Sequence, residues 1–529
     1  MTAITYTTAF EGIDAHLVEV QCALSPGLPA FQIVGLPNKA VSEARERVRA
    51  ALAACSVALP SKRITVNLSP ADMPKDGSHF DLPIAVALLA ALGLIPPEKA
   101  EEQVVMGELS LNGNLVPVTG CLPAAMAAHS EGKGLICPEA CGAEAAWVAD
   151  AQVVAPSTLA ATLRHMSGQA VLPQAKAGDV QPHQSTKDMR EVKGQERAKR
   201  AMEIAAAGRH HLLMIGTPGS GKSMLSARMP GILPPLSPAE ALETSMIHSL
   251  SGLLDDGGIS RDRPFREPHH TSSMAAIVGG GRNAKPGEIS LAHNGVLFLD
   301  EFPEFTRQVL ETLRQPIETG EVVVARANAH VKYPCRFMLV AAANPCRCGY
   351  LSDPGRACAR APECGADYLS RISGPLMDRF DLRVDVPPVR YTDLDLPADG
   401  DTSAVIAARV KAARDIQMER YHTADNVWSN ADAEGDVLEA ACILDEDGRA
   451  FLMQVAARFG LSARGYHRVL KVGRTISDLE NTPKIERHHL AEAISFRMPE
   501  AATDQGRIKR NTVDAPQPAK MAMASESRP

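Results

Sequence analysis

Aromatic residues are scarce in this chain: they make up 4% of 529 residues, with only 2 tryptophans. Its cores must therefore be aliphatic and rich in alanine, which the 45% hydrophobic content readily supplies. No charge dominates. The 62 acidic and 55 basic side chains leave a formal net charge of -7, which does not advertise a nucleic-acid binder and leaves any such contact to local basic loops. Long apolar runs are also missing. The longest, Leu82 to Pro96, is too short to span a bilayer and reads as a buried helix. The opening stretch MTAITYTTAFEGIDAHLVEV is polar and alternating and lacks a secretory signal pattern. These absences predict a cytoplasmic protein with no membrane segment. In that setting the 11 cysteines read as reduced thiols, not a disulfide framework.

The octapeptide GTPGSGKS, Gly216-Thr217-Pro218-Gly219-Ser220-Gly221-Lys222-Ser223, fits G-x-x-x-x-G-K-[ST]. The apolar stretch His211 to Ile215 predicts a short buried strand before it, and Met224 to Met229 the start of a helix after it. Backbone N–H groups of such a loop curl around phosphate oxygens, and the helix start adds positive potential. Lys222 would neutralise the β- and γ-phosphates of ATP, and the Ser223 hydroxyl would ligate Mg2+. Residues 295–301, GVLFLDE, predict a second buried strand that ends in Asp300 and Glu301. Adjacent carboxylates at an apolar strand end are costly unless a cation or a reaction uses them. Asp300 is assigned to the Mg2+ shell and Glu301 to the attacking water. A third strand, Phe337 to Ala343, ends in Asn344, placed to sense the γ-phosphate or hold the water. Three such strand ends suit an open parallel α/β sheet, whose ligands lie at the carboxyl ends of its strands.

Organisation follows composition. Residues 1–164 read as an α/β domain, with strands near 15–21, 31–34, 63–68 and 104–110 and helices near 38–55, 82–93 and 121–131. Residues 165–188 lose periodicity and collect Gly, Pro, Gln and Ser, as a linker does. A nucleotide domain occupies 189–390, a helical domain 391–502, and a polar, disordered tail 503–529. Cys346, Cys348, Cys358 and Cys364 crowd a Gly/Pro-rich segment whose thiolates suit a tetrahedral structural Zn2+. The C-x-C…C-x5-C spacing is not that of the common zinc fingers, and four free thiols in a loop is the competing reading. Cys335, just before the third strand, is a fifth candidate ligand but reads better as a core residue, and the remaining six cysteines read as isolated small core residues. Arg379, in SGPLMDRFDL, is placed to reach a γ-phosphate held by a neighbouring subunit, a role worth ~10³–10⁵ in rate. Arg464, in LSARGYHRVL, begins a long helix and is assigned to the nucleotide from a lid domain.

Taken as a set, GTPGSGKS, GVLFLDE, AAANP, SGPLMDRFD and LSARGYHR resemble the magnesium-chelatase-like branch of AAA+ ATPases, and within it the ComM/YifB family. The long stretches VKGQERAKRAMEIAAAGRHHLLMIG and PHHTSSMAAIVGGGRNAKPGEISLAHNGVLFLDE are similar too. The resemblance implies an AAA+ P-loop core with a helical lid, a cytoplasmic homo-hexamer that uses Mg-ATP, and single-stranded or branched DNA as partner. It implies ATP-driven branch migration, a helicase activity, in recombination during natural transformation. It places two pore loops, at roughly 272–288 with Arg282 and Lys285, and at 322–334 with Arg326, His330 and Lys332. Cations there would touch phosphate without reading sequence. His269 and His270 beside the first loop read as structural. PKDGSHFDLPIAVALLAALGLIP and GELSLNGNLVPVTGCLPAAMAAHSEG resemble the Lon protease segments that carry its serine and lysine. Here His79 and Leu122 stand at those positions, so a serine–lysine dyad is lost and no peptidase activity is expected. Arg360 stands where relatives with a cysteine cluster have a last cysteine, with Cys364 as its substitute. The alternatives are a chelatase-type motor subunit and a non-proteolytic Lon-like remodeller.

Overall fold

The computed structural model describes residues 2–180, 187–254, 257–280, 284–326, 329–351, 355–389 and 400–497. Arg282, the side chains of Arg326 and His330, and the segments 391–399 and 503–529 lie outside the described residues. The chain divides into two compact units. One is Met1–Asp188 with Ser226–Val340 and Arg371–Leu376; the other is Met189–Leu225 with Ala341–Ser370 and Met377–Pro529.

The first unit holds a seven-stranded mixed sheet. Its strands are β1 (Thr2–Glu11), β2 (Asp14–Ser25), β3 (Ala30–Val34), β4 (Arg63–Ser69), β5 (Gln103–Val105), β6 (Gly134–Ile136) and β7 (Val153–Val154), in the order β3-β4-β2-β1-β5-β6-β7. β1 was not apparent as a strand in the sequence. Thr5 and Thr7 on one face and Thr8 on the other are all buried, in place of the aliphatic residues that mark a strand. The Thr5 hydroxyl is satisfied by the Ala100 carbonyl at 2.9 Å. The run at Leu82 does form a helix, Asp81–Ala91, and every one of its residues is buried, as befits a helix that is apolar all round. Asp81 starts it and is held by a two-pronged contact from Arg47 (2.5 and 2.9 Å) and by the Leu109 N–H (3.1 Å).

The stretch expected as one strand over 104–110 is two. The chain turns at Gly107, whose N–H bonds to the His79 carbonyl at 3.0 Å, and Glu108–Leu109 pairs instead with Leu115–Val116. His79 is buried, with Nε2 at 2.9 Å from the Thr8 carbonyl, and burial lowers its pKa. Ser78 donates to Glu108, and the Leu122 N–H donates to the buried Glu144 at 3.1 Å. Three cysteines of this region are not isolated as expected. Cys121 lies beside Cys137 and Cys141, which push its thiol pKa up, an approach between distant segments that spacing cannot reveal. The first part of the expected linker is tied down: Ala175 N–H bonds to Val153 O at 2.8 Å and Gly178 N–H to Ala143 O at 3.2 Å.

The same unit contains the parallel pair Phe265–Arg266 and Val296–Leu299, and the first half of Met338–Ala343. The second unit contains the rest of that strand, the parallel pair Leu212–Gly216 and Leu382–Val386, and the helices Ser403–Tyr421, Gly435–Ala441, Glu446–Phe459, Ala463–Leu479 and Arg487–Ser495. Side-chain caps from Thr402, Asp445 and Ser462 start three of these helices. Among the described residues no helix is long and apolar enough to cross a membrane.

Candidate functional site

The phosphate loop follows the buried strand Leu212–Gly216. Gly219 and Gly221 take positive φ (76° and 93°), conformations that side chains resist, and this bends the backbone into the loop. The helix beyond it is Lys222–Ser226, not a run from Met224 to Met229; Pro230 lies in a 3-10 turn, Met229–Ile232, where it cannot supply an α-helical N–H. Lys222 is buried, and its ammonium donates to the carbonyls of Gly216 (2.7 Å) and Thr217 (2.9 Å) and to Oδ1 of Asn344 (3.3 Å). Asn344 and the loop lysine are thus in direct contact. Gln195 ties the loop down through the Ser220 carbonyl (3.2 Å) and the Pro387 carbonyl (2.5 Å). The Ser220 hydroxyl is buried and has no hydrogen-bond partner among the described residues, while Ser223 is exposed. A lysine cation, a buried hydroxyl awaiting a partner and an exposed one fit a phosphate group with its divalent ion.

The acidic end is a separate construction, in the first unit. Val296–Leu299 is fully buried, and Phe298 stacks on Phe265 with ring centres 6.0 Å apart. Asp300 turns back to accept the Glu301 N–H at 2.8 Å. Glu301 has φ of 50° and is exposed, so the chain presents its carboxylate at the strand tip in a backbone state rare for a non-glycine residue. His270 Nδ1 lies 3.2 Å from Oε2 of Glu301. Glu267, three residues earlier, has its carboxyl pushed up by partial desolvation and then by the Asp300 charge. Neither His270 nor Glu267 was assigned to the site from sequence. The pair His269-His270 gave no sign that the chain folds one of them onto Glu301.

Arg379 is buried in the second unit, and Arg464 is exposed in the first turn of the helix Ala463–Leu479. Of the residues proposed to touch DNA, Lys285 is exposed in a strand, Lys285–Pro286, paired with Gly279–Gly280. Lys332 is exposed on the hairpin Glu321–Arg326/Ala329–Pro334, at 3.8 Å from Glu321. The buried Tyr333 hydroxyl donates to the Ala284 carbonyl at 2.9 Å and fastens hairpin to loop.

The cysteines draw together. Cys346 and Cys348 sulfurs are 3.1 Å apart. The Cys348 thiol is pulled down to about 7 by the Tyr350 backbone, Cys346 and Cys358, and the Cys364 thiol is pushed up to about 12 by Cys358 first, with Cys346 contributing. Arg360 instead pairs with Asp367 at 2.5 Å. Four mutually interacting soft donors suit Zn2+. Cys335, by contrast, is buried and its thiol is pushed up by burial. Gly349 sits against the Pro218 ring of the phosphate loop; a Cβ at Gly349 would meet that ring at 2.5 Å. One further group, Glu480 with His488 and His489, brings three ligand atoms within 4.8 Å. His489 Nδ1 accepts the Glu486 N–H at 2.8 Å, which leaves its proton on the Nε2 that faces Glu480 at 3.1 Å. With Nδ1 capping the helix Arg487–Ser495 and Nε2 turned to Glu480 as a donor, the ring offers no free ligand nitrogen.

Comparison with known proteins defines the class. Residues 188–394 match the family described as magnesium chelatase, subunit ChlI; 400–497 match its C-terminal region, and 18–141 match subunit ChlI of Mg-chelatase. This is a magnesium-chelatase-like AAA+ protein, a family that points to ATPase activity with ATP and Mg2+. The chain is 44% identical over 501 residues to competence protein ComM of Haemophilus influenzae, across 94% of this chain and 97% of that protein. It is 42% identical over 496 residues to the uncharacterized protein YifB of Salmonella typhimurium, covering 94% and 97%. A magnesium-chelatase 38 kDa subunit of Cereibacter sphaeroides is 23% identical over 355 residues, covering 61% of this chain and 92% of that one. The chain belongs to the ComM/YifB family.

Proposed function

We propose that this protein is an ATP-driven DNA motor, a cytoplasmic homo-hexamer that migrates branches in recombination during natural transformation. The observation that carries the reading is the end-to-end similarity to a competence protein, joined to a phosphate loop whose lysine meets the sensor asparagine at 3.3 Å. In this reading 1–164 is a Lon-like platform without peptidase activity, 189–390 the motor core and 391–502 the lid.

Gly216 to Ser223 bind the triphosphate through backbone N–H groups and Lys222. Ser223 and Asp300 would hold the magnesium ion, which when bound supplies positive charge at the transferring phosphoryl group. Glu301 accepts a proton from the attacking water, and His270 holds the Glu301 carboxylate in place. Asn344 orients water and γ-phosphate, Arg464 contacts the nucleotide from the lid, and Arg379 reaches the site of the next subunit once released from its buried position. Cys346, Cys348, Cys358 and Cys364 hold a structural zinc, and the loop they shape supports Pro218 through Gly349. Arg282, Lys285, Arg326 and Lys332 track the DNA backbone.

A chelatase-type motor subunit is the second reading, favoured by the family models; the chelatase subunit, however, matches only 61% of this chain. ATPase assays with single-stranded and forked DNA, repeated as salt is raised, separate the readings. A DNA motor is stimulated, and the stimulation falls steeply with salt. Indifference to DNA at every salt concentration rejects it.

A further inference from the structure

The segment that carries Arg379 is clamped from the lid. Arg468 lies one turn beyond Arg464 on the helix Ala463–Leu479. Its Nη1 donates to the backbone carbonyl of Arg379 at 3.0 Å and also to Oδ1 of Asp381. Arg497 donates to the next carbonyl, Phe380, at 3.1 Å, and Arg383 to the Met377 carbonyl at 2.8 Å. The other oxygen of Asp381 accepts the His211 N–H at 3.0 Å. His211 leads into the strand Leu212–Gly216, which delivers the phosphate loop. Asp381 is 3% exposed, and a charge so buried is stable only with its partners in place. One carboxylate therefore joins the lid helix, the Arg379 segment and the strand behind the phosphate loop.

Residues four apart lie on the same face of a helix and move with it as a rigid rod. A shift of the helix start at Arg464 is thus delivered to the Arg379 carbonyl by Arg468. We propose that Arg468 is a positioning residue that couples the lid to Arg379, so that nucleotide sensed at Arg464 in one subunit sets how Arg379 is presented to the next. The coupling rests on the reading of Arg379 as an intersubunit arginine.

The test uses the full chain with Arg468→Gln, Arg468→Lys, Arg379→Ala and the double variant Arg379→Ala/Arg468→Gln. Steady-state ATPase and equilibrium binding of a fluorescent ATP analogue are measured on each. Coupling predicts that Arg468→Gln lowers kcat by about tenfold or more while affinity for the analogue changes less than about twofold. Arg468→Lys, which keeps the cation, recovers part of the loss. The double variant is no slower than Arg379→Ala alone. Mixing Arg468→Gln with excess Glu301→Gln subunits, which bind nucleotide without turning it over and keep Arg379 and Arg468, raises turnover per Arg468→Gln subunit. Losses that multiply in the double variant, or a fall in analogue affinity at unchanged kcat, overturn the coupling. If Arg468→Gln fails to fold by circular dichroism, Arg468→Lys is judged by the same criteria. A fully active Arg379→Ala rejects the intersubunit reading itself; an inactive Arg379→Ala beside a fully active Arg468→Gln rejects the coupling alone.

Discussion

His270 Nδ1 lies 3.2 Å from the Oε2 oxygen of Glu301, and His270 stands at the entrance to the loop that ends in the paired strands Gly279–Gly280 and Lys285–Pro286. The residue assigned to water activation is therefore met by a side chain just ahead of the loop assigned to DNA. Replacing His270 with alanine frees the carboxylate without removing it. A hydrogen bond to a charged group is worth ~1.5–3 kcal/mol, so kcat should fall about tenfold or more at unchanged nucleotide affinity. Steady-state ATPase with parallel nucleotide binding checks this; an unaltered kcat removes His270 from the mechanism.

The two strand tips divide binding from turnover. Lys222→Ala should abolish nucleotide binding, because the buried ammonium that meets Asn344 is lost. Glu301→Gln should bind normally and fail to turn over. Equilibrium binding and single-turnover hydrolysis separate the two, and normal hydrolysis by Glu301→Gln disproves the water-activation role.

Tyr333 fastens the hairpin to the neighbouring loop through the Ala284 carbonyl at 2.9 Å. Tyr333→Phe leaves that carbonyl without its donor, at a cost of ~1–3 kcal/mol. Basal ATPase should persist and the DNA-stimulated increment should fall several-fold. Thermal unfolding and ATPase with and without forked DNA measure both effects. An intact DNA response means that the two elements act independently.

Acid stability should report Glu243. His293 first, with Arg336 and Asn294, holds its carboxyl down to about 2 from an ordinary 4.5, against the opposing effect of burial. A folded pKa below the unfolded one contributes stability that is fully present above about 4.5 and is lost as pH falls toward 2. Glu243→Gln should lower the melting temperature at neutral pH and flatten its decline across that acid window. A decline as steep as in the parent chain assigns the acid sensitivity elsewhere.

Zinc analysis of the purified protein should give one ion per chain, and Cys358→Ser should lower both metal content and thermal stability. Substoichiometric zinc together with an unchanged melting temperature leaves Cys346, Cys348, Cys358 and Cys364 as ordinary thiols.

The phosphate loop, the acidic strand end and Asn344 were legible because each is a contiguous motif at the end of an apolar strand. The helices between Ser403 and Ser495 were legible from helical spacing. What escaped depends on distant segments meeting. β1 hid behind buried threonines, and Cys121 reaches Cys137 and Cys141 only through the fold. His270 looked like half of a histidine pair until the chain placed it on Glu301. Nothing in the sequence marked Asp381, yet it is buried between Arg468 and the His211 N–H.

The central claim is that ATP hydrolysis at Lys222 and Glu301 drives movement along DNA. A four-way junction with labelled arms, incubated with the full chain and Mg-ATP, tests it most directly. The account predicts ATP-dependent conversion of the junction to its resolved duplex products, abolished by Glu301→Gln and suppressed by high salt. A protein that hydrolyses ATP equally well with and without DNA and leaves the junction intact contradicts it.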